Sequence, residues 1–161
     1  MNLAIIDLDG VIASNTERFA RATFYGSIDW SVAFNPALVD LDTLIAGADL
    51  AVARLEKQLS YTVIFLTSRP ETMREATEAW LAQHDLDGYE LVMKQMDKQF
   101  TKTVHWKADE VRRMARLSGV ESVLFIDDEA NNRYAVEALG MGIAIKASLD
   151  DYAPDETAII V

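Results

Sequence analysis

The most chemically capable side chains of this sequence stand directly after short apolar runs. Asp7 and Asp9 follow the run that begins at Leu3, and the adjacent pair Asp127 and Asp128 follows a second run late in the chain. Such runs, rich in isoleucine, valine and leucine, predict buried strands. Carboxylates gathered in pairs can bind a metal ion, attack as nucleophiles or exchange protons.

Hydroxyl and cationic groups occupy comparable positions between these acids. Thr67 ends the clearest strand of the chain, and Ser68 and Arg69 come next. Lys107 lies near the start of a predicted helix. Hydroxyl, guanidinium and ammonium groups are common partners of an anionic ligand, so these residues join the acids as candidate site residues.

Strands and helices alternate along the chain. The apolar pattern predicts strands over 3–8, 61–67, 90–93, 122–126, 143–145 and 157–161, and helices over 15–24, 43–59, 70–84, 104–117 and 132–139. Strands that are apolar on both faces predict an α/β fold, a three-layer sandwich with a mainly parallel, Rossmann-like sheet. No linker is visible, so we expect one domain over 1–161, with about 14–58 as a helical insertion or small lid.

The predicted sheet brings the candidate residues together. Ligands of open parallel sheets bind at the carboxyl ends of the strands, where Asp7, Thr67 and Asp127 would meet. Carboxylates crowded in one crevice repel one another unless a cation compensates them. The chain has no cysteine and only two histidines, so oxygen ligands remain and Mg²⁺ is the expected metal. Mg²⁺ beside a lysine and hydroxyls suits a phosphate group.

The composition of the chain indicates which partners it is not expected to bind. The formal net charge is −11 and half of the residues are hydrophobic, so we expect a globular domain that does not bind duplex nucleic acid tightly. No segment has the roughly 20 apolar residues of a membrane span, and the first residues lack the basic start of a secretory signal. These features predict no membrane association and a cytoplasmic location.

Four motifs follow one another in a recognisable order. They are DLDGV, a hydrophobic run ending in LTSR, a lysine near a helix start, and a hydrophobic run ending in IDD. Together they resemble the haloacid dehalogenase (HAD) superfamily of phosphotransferases over about residues 3 to 145. The resemblance implies a HAD-like domain with little or no cap that hydrolyses phosphomonoesters with Mg²⁺. Asp9 favours ester hydrolysis, because dehalogenating members lack this acid and ion-pump members carry threonine there.

The resemblance also implies a role for each residue. Asp7 would be the nucleophile that forms an aspartyl-phosphate, kept ionised by the metal and by Lys107. Asp9 would be free to carry a proton, first as general acid and then as general base, with its main-chain carbonyl on the metal. Thr67 would bind the phosphoryl group. The expected metal-binding residues are Asp7, Asp9, Asp127 and Asp128.

A narrower similarity concerns the 3′-phosphatase domains of phage-type polynucleotide kinases. That group also has an arginine nine residues after the second aspartate, here Arg18, and an LTSR motif, here supplying Ser68 and Arg69. These three residues are expected to contact the substrate, a nucleotide or a nucleic-acid 3′-phosphate end. The sequence departs from the group at Thr103, where the group has an acid, and it contains no GxxxxGK[ST] loop.

Other interpretations remain open at this point. A nucleotidase or small-metabolite phosphatase with the same core would share these motifs. A phosphate-accepting, receiver-like signalling module would also use acids, a hydroxyl, a lysine and Mg²⁺, although its acid pair normally follows the first strand. Lys98 and Lys102 compete with Lys107, and Asn131 or Asn132 could support the acid pair. Four aromatic residues are interpreted as core rather than as a base-stacking platform: Phe24, Tyr25, Trp30 and Phe34.

Overall fold

Five parallel strands form the central sheet of the structure, a computed structural model that describes residues 1–153. In chain order they are β1 (Asn2–Ile6), β2 (Tyr61–Pro70), β3 (Glu90–Lys94), β4 (Ser122–Ile126) and β5 (Ala144–Lys146). Their order across the sheet is β3-β2-β1-β4-β5. Ile6 of β1 lies in register with Phe65 of β2 and with Ile126 of β4. The residues that follow these three positions therefore reach one edge of the sheet.

Helices cover both faces of this sheet. They are α1 (Thr16–Ala22), α2 (Trp30–Ala33), α3 (Ala48–Lys57), α4 (Arg74–Gln83), α5 (Thr103–Ala115) and α6 (Ala130–Glu137). Along β1, Ala4 and Ile6 pack into the core formed with α3 and α4, whereas Leu3 and Ile5 pack into the core formed with α5 and α6. This alternation buries both faces of the strand. The prediction of a three-layer α/β sandwich with a mainly parallel sheet is confirmed.

The element boundaries follow the sequence pattern closely, with a few differences. The strand predicted over 122–126 is β4 itself. The helix predicted over 43–59 begins only at Ala48, because the two-residue strand Thr43–Leu44 comes first and Gly47 then turns the chain with a φ of +78°. The strand predicted over 157–161 lies outside the described residues.

The chain between β1 and β2 divides into two parts. Its second part, α3, packs on the sheet and belongs to the core. Its first part carries a hairpin of the strands Thr23–Phe24 and Ser27–Ile28, then α2, then the 3₁₀ helix Pro36–Leu41. This first part is too small to be a cap domain, as expected. Within residues 1–153, no helix combines the length and apolarity that a bilayer crossing requires.

Candidate active site

A cavity of about 480 Å³ opens at the carboxyl edge of the sheet. Asp7 and Asp9 reach it from the end of β1, and Ser68 reaches it from β2. Lys107 of α5 and Asp128, which follows β4, complete its polar wall. The structure therefore brings residues from three neighbouring strands and a helix to one place, as the order of the strands requires.

Lys107 joins the acids of two strands. Its Nζ lies 2.7 Å from Oδ2 of Asp7 and 2.7 Å from Oδ2 of Asp127. Although burial alone would lower the pKa of Lys107, these two carboxylates raise it, so the ammonium stays charged. The other two candidate lysines, Lys98 and Lys102, are exposed. The structure thus selects Lys107 as the cation beside Asp7.

The carboxylate of Asp127 is buried and oriented by several donors. Asn132 Nδ2 lies 3.2 Å and 3.1 Å from its two oxygens, and the main-chain amide of Glu129 donates to Oδ1 at 2.9 Å. Both donors come from the start of α6 or the residue before it. Asp127 is thereby held in the geometry that positions Lys107, and Asn132, rather than Asn131, is the amide that supports the acid pair.

Three carboxylates gather around this lysine. Oxygen atoms of Asp7, Asp127 and Asp128 lie within 4.8 Å of one another; with Lys107 these residues are called the lysine cluster. Burial, opposed by Lys107, raises the pKa of Asp7 to about 7. Burial, with the nearby charges of Asp127 and Glu129, also raises the pKa of Asp128. When all three carboxylates are ionised, the single ammonium leaves two negative charges, so the residues present fit a divalent ion with oxygen ligands, such as Mg²⁺.

Gly10 makes room for Asp128. Its φ is +86°, and a Cβ built on Gly10 would stand 2.1 Å from Oδ2 of Asp128. Any side chain at this position would therefore displace the Asp128 carboxylate and would also sit in a strained backbone conformation. The glycine of the DLDGV motif is explained by this contact.

A second cluster lies behind Asp9. Arg69 donates to both Asp9 oxygens, with Nη2 at 2.7 Å and Nε at 3.0 Å, and Arg18 Nη2 donates to Oδ1 at 2.9 Å. Asp42 accepts from Arg18 Nε at 2.9 Å and from Arg69 Nη2 at 2.7 Å. These four residues are called the arginine cluster. Two guanidiniums face two carboxylates, so its net charge is zero.

The arginines are placed differently from the sequence expectation. Arg18 and Arg69 were expected to contact substrate, yet their side chains are 0% and 1% exposed. Arg18 also donates to the carbonyl of Ala33, and Arg69 donates to the hydroxyl of Thr77. In this structure the hydrogen bonds of both guanidiniums go to protein partners, and both guanidiniums contact Asp9 from the protein interior.

Asp9 is consequently not a free carboxylate. Burial alone would raise its pKa, but Arg69 and Arg18 hold the pKa of Asp9 below its usual value. The sequence expectation had Asp7 kept ionised and Asp9 free to carry a proton. In the protein alone the arginines favour the ionised form of Asp9, and Asp7 is the acid with the raised pKa.

The two hydroxyls of the LTSR motif are not equivalent. Ser68 lines the cavity, whereas Thr67 is fully buried and its Oγ1 accepts a hydrogen bond of 3.2 Å from the main-chain amide of Arg69. Thr67 therefore stabilises the turn of the motif, and Ser68 is the residue of the motif that lines the cavity.

Asp42 is a site residue that the sequence reasoning missed. It is fully buried at the end of the 3₁₀ helix Pro36–Leu41, and its main-chain carbonyl accepts from the indole nitrogen of Trp80 at 3.0 Å. In the sequence it is one of two aspartates in an irregular stretch, together with the exposed Asp40. No spacing or periodicity distinguishes the two, so only their burial could have identified Asp42.

The interpretation of these aromatic residues as core is wrong for Phe24, Tyr25 and Trp30, whereas Phe34 is partly buried and packs against the core. Phe24, Tyr25 and Trp30 are 56%, 108% and 55% exposed. They lie in the short hairpin and the one-turn helix that follow α1, where no second layer covers them. Trp30 and Phe34 also line the cavity beside Asp7 and Asp9, which is called the acidic cavity.

The fold is shared with several solved structures. It is similar to a putative β-phosphoglucomutase from Thermotoga maritima, with a TM-score of 0.61, 15% identity and coverage of 94% of this chain and 96% of that one. It is also similar to the haloacid dehalogenase-like hydrolase SP0104 from Streptococcus pneumoniae, with a TM-score of 0.59, 12% identity and coverage of 95% and 91%. The fold is that of the HAD-like hydrolases, which confirms the resemblance carried by the four motifs.

A third structural match concerns RNA repair. A chain of the Pnkp1/Rnl/Hen1 RNA repair complex has a TM-score of 0.63 and 20% identity, and the match covers 91% of this chain and 42% of that one. At these identities the likeness establishes the fold.

The chain belongs to the LNS2 domain family, described as the LNS2 domain of PITM 1-3, whose model matches residues 25–127. Membrane-associated phosphatidylinositol transfer protein 2 of Mus musculus and that of Homo sapiens are each 34% identical over 59 residues, or 37% of this chain. The chain spans only 4% of the length of these relatives. The family match includes Lys107 and Asp127, whereas Asp7 and Asp9 precede it.

Proposed function

We propose that this chain is a Mg²⁺-dependent phosphomonoester hydrolase that works through an aspartyl-phosphate. The observation that carries the proposal is the uncompensated lysine cluster at the cavity. There Lys107 holds Asp7 at 2.7 Å, and Asp127 and Asp128 offer oxygen ligands beside it. The HAD-like fold supports the same class of reaction.

In the first step an oxygen of Asp7 bonds to phosphorus, and the bond between phosphorus and the ester oxygen breaks. Asp9, which takes up a proton before this step although Arg18 and Arg69 favour its ionised form, donates that proton to the leaving oxygen. Lys107 contacts both the nucleophile and the phosphoryl oxygens, and Ser68 donates its hydroxyl from the cavity wall. Asp7, Asp127, Asp128 and the carbonyl of Asp9 would hold Mg²⁺, which would stabilise the charge on the phosphoryl group.

In the second step water hydrolyses the aspartyl-phosphate. Asp9 accepts a proton from the water, the water oxygen bonds to phosphorus, and the bond from phosphorus to Asp7 breaks. Inorganic phosphate leaves and the Asp7 carboxylate is restored. Because Arg18 and Arg69 favour the ionised form of Asp9, its carboxylate stays unprotonated between the two steps and is available to accept this proton. The two arginines thus act on the reaction through Asp9.

The proposed substrate is a nucleotide or a nucleic-acid 3′-phosphate end, in keeping with the LTSR motif and with the RNA repair chain of similar fold. A nucleotidase or metabolite phosphatase would use the same residues. A second candidate is a phosphate group carried by an inositol lipid, which the LNS2 family match favours. A panel of 3′- and 5′-phosphorylated nucleotides, sugar phosphates and phosphoinositide vesicles distinguishes these candidates by the substrate that is turned over fastest.

The reaction class is tested with a generic aryl phosphate. We expect hydrolysis that requires Mg²⁺ and stops with EDTA, and a phosphorylated Asp7 that can be trapped with hydroxylamine during turnover. Activity indifferent to EDTA, or a trapped phosphate on another residue, would contradict the proposal. A stable phosphorylated form without turnover would instead favour the receiver-like signalling module.

A further inference from the structure

A second concavity lies directly beside the acidic cavity. Its volume is about 670 Å³, and Trp30, Phe34, Ser68 and Thr103 line both spaces. A phosphate group bound beside Asp7 would therefore leave the rest of its ester facing this second space. We call it the aromatic cleft, because Trp30, Phe34 and Phe100 line it.

One side of the aromatic cleft is an ordered indole. Trp30 is 55% exposed, yet its ring packs edge-on against Phe19 at 6.1 Å and lies 5.3 Å from Phe34 at an angle of 31°. These two contacts orient the indole before any ligand arrives. A large ring that is held in place and exposed offers contact area at little cost in conformational entropy.

The loop between β3 and α5 supplies the other apolar side chains. Phe100 is 92% exposed and Met96 is 48% exposed, and both line the cleft. A single exposed apolar side chain is ordinary. Several such side chains around one concavity mark a binding surface.

The charge of the aromatic cleft differs from that of the whole chain. The net charge of the protein is −11, but within residues 1–153 no aspartate or glutamate lines the cleft, whereas Lys94 and Lys102 do. Lys94 donates to the main-chain carbonyl of Thr101 and so shapes the loop, while Lys102 is exposed. This lining suits an anionic aromatic ligand and disfavours a cationic one.

We propose that the aromatic cleft binds the base of a nucleotide whose phosphate lies in the acidic cavity, an inference that rests on the function proposed above. The base stacks on Trp30 and Phe100 covers it from the loop. A sugar phosphate without a base would leave both rings in water. Polar residues also line the cleft, Thr72, Gln95 and Gln99 among them, and they suit the polar edges of a base better than an acyl chain.

The test compares phosphates that differ only in the base. Adenosine 3′- and 5′-monophosphate are each measured against the matching ribose phosphate. We expect a KM about tenfold lower for the better nucleotide, since stacking on an aromatic side chain has this order of effect. Phe100→Ala should remove the difference and leave the ribose phosphate within about twofold, and Phe100→Trp should restore it. Because Phe100 is almost fully exposed, its removal does not threaten the fold.

Binding is also measured without turnover. Trp80 and Trp106 are buried, so a ligand in the cleft should quench mainly the fluorescence of Trp30. Fluorescence quenching by adenosine monophosphate that disappears in Trp30→Phe therefore reports contact at Trp30. Tyr25→Asn is the matched control, because it removes an exposed ring outside the cleft and asparagine tolerates the φ of +48° at this position. This control should keep both the quenching and the KM difference.

The outcomes separate the two proposals. Quenching without hydrolysis would support the cleft assignment and contradict the enzymatic function. Hydrolysis in which Phe100→Ala costs the nucleotide and the ribose phosphate equally would overturn the cleft assignment alone. Phe100-dependent binding to phosphoinositide vesicles, with no quenching by either nucleotide, would overturn it in favour of a lipid ligand.

Discussion

The lysine cluster and the arginine cluster meet at the same edge of the sheet, but their charges balance differently. In the arginine cluster two carboxylates neutralise two guanidiniums through hydrogen bonds of 2.7–3.2 Å. In the lysine cluster one ammonium faces three carboxylates. The arginine cluster is buried from solvent except at Asp9, whereas Asp7, Lys107 and Asp128 of the lysine cluster line an open cavity.

This difference in charge balance indicates different roles, a positioning role for the arginine cluster and a reactive role for the lysine cluster. Burying charges is costly unless partners of opposite sign compensate them, and the arginine cluster contains its own compensation. When its carboxylates are ionised, the lysine cluster contains two negative charges that the protein itself leaves uncompensated, and Asp7 and Asp128 line a cavity. We infer that the lysine cluster is completed by a bound cation and an anionic substrate, and that the arginine cluster holds Asp9 toward them.

The largest expected effect is on turnover, at the lysine cluster. Asp7→Asn removes the proposed nucleophile and should lower kcat on an aryl phosphate by on the order of 10⁴-fold or more. The same change relieves repulsion among buried carboxylates, so its melting temperature should equal or exceed that of the wild type. Steady-state kinetics and thermal denaturation measure both. If the Asp7→Asn protein were less stable than the wild type, or kept its activity, the assignment of a reactive role to the lysine cluster would be contradicted.

The next effect concerns stability, at the arginine cluster. Asp42→Ala leaves Arg18 and Arg69 buried with one carboxylate fewer, and it should cost about 3–5 kcal/mol of the free energy of unfolding. Urea denaturation measures the loss. Asp40→Ala is the matched control, because Asp40 is exposed and two residues away, and it should change stability by less than about 0.5 kcal/mol. Equal effects of the two substitutions would contradict a buried network.

Gly10→Ala tests how tightly the lysine cluster is built. The added Cβ would stand 2.1 Å from the Asp128 carboxylate and would adopt a φ of +86°, so we expect a loss of about 1–3 kcal/mol in stability. The apparent affinity for Mg²⁺, measured by titration calorimetry, should fall as well. Gly26→Ala has a similar φ but open space around it, and it should lower stability without changing Mg²⁺ binding.

The smallest expected effect is stabilisation by the metal alone. Mg²⁺ at ten times its dissociation constant should raise the free energy of unfolding by about 1.4 kcal/mol, because it binds the folded protein. Asp128→Asn should remove most of this gain, whereas Asp42→Ala should retain it. A gain of equal size in wild type and Asp128→Asn would show that the cation binds elsewhere.

Much of the fold was predictable from local patterns. Apolar runs of five to seven residues identified β1, β2 and β4, because strands buried on both faces have to be apolar at successive positions. The motifs then placed Asp7, Lys107 and Asp127 at strand ends and a helix start, and the parallel order of the sheet brought them together. The glycine Gly10 was part of a recognised motif, although its contact with Asp128 was not predictable.

The arginine cluster and the aromatic cleft were not predictable in the same way. Asp42 and Asp40 look alike in sequence, and Arg18 and Arg69 were expected to face the substrate. The exposed Trp30 was expected in the core. Each of these residues lies in or contacts the irregular first part of the chain between β1 and β2, where no periodicity reports which side chains are buried.

The sequence by itself determined the class of fold and the candidate residues for binding a metal and a phosphate, because the burial of regular strands and helices follows the period of their apolar residues. Only the tertiary structure decided which charges compensate one another. Ion pairs such as those of Arg69 with Asp9 and Asp42 join residues 60 and 27 positions apart. Their energies depend on distance and burial, and neither quantity is encoded in local spacing.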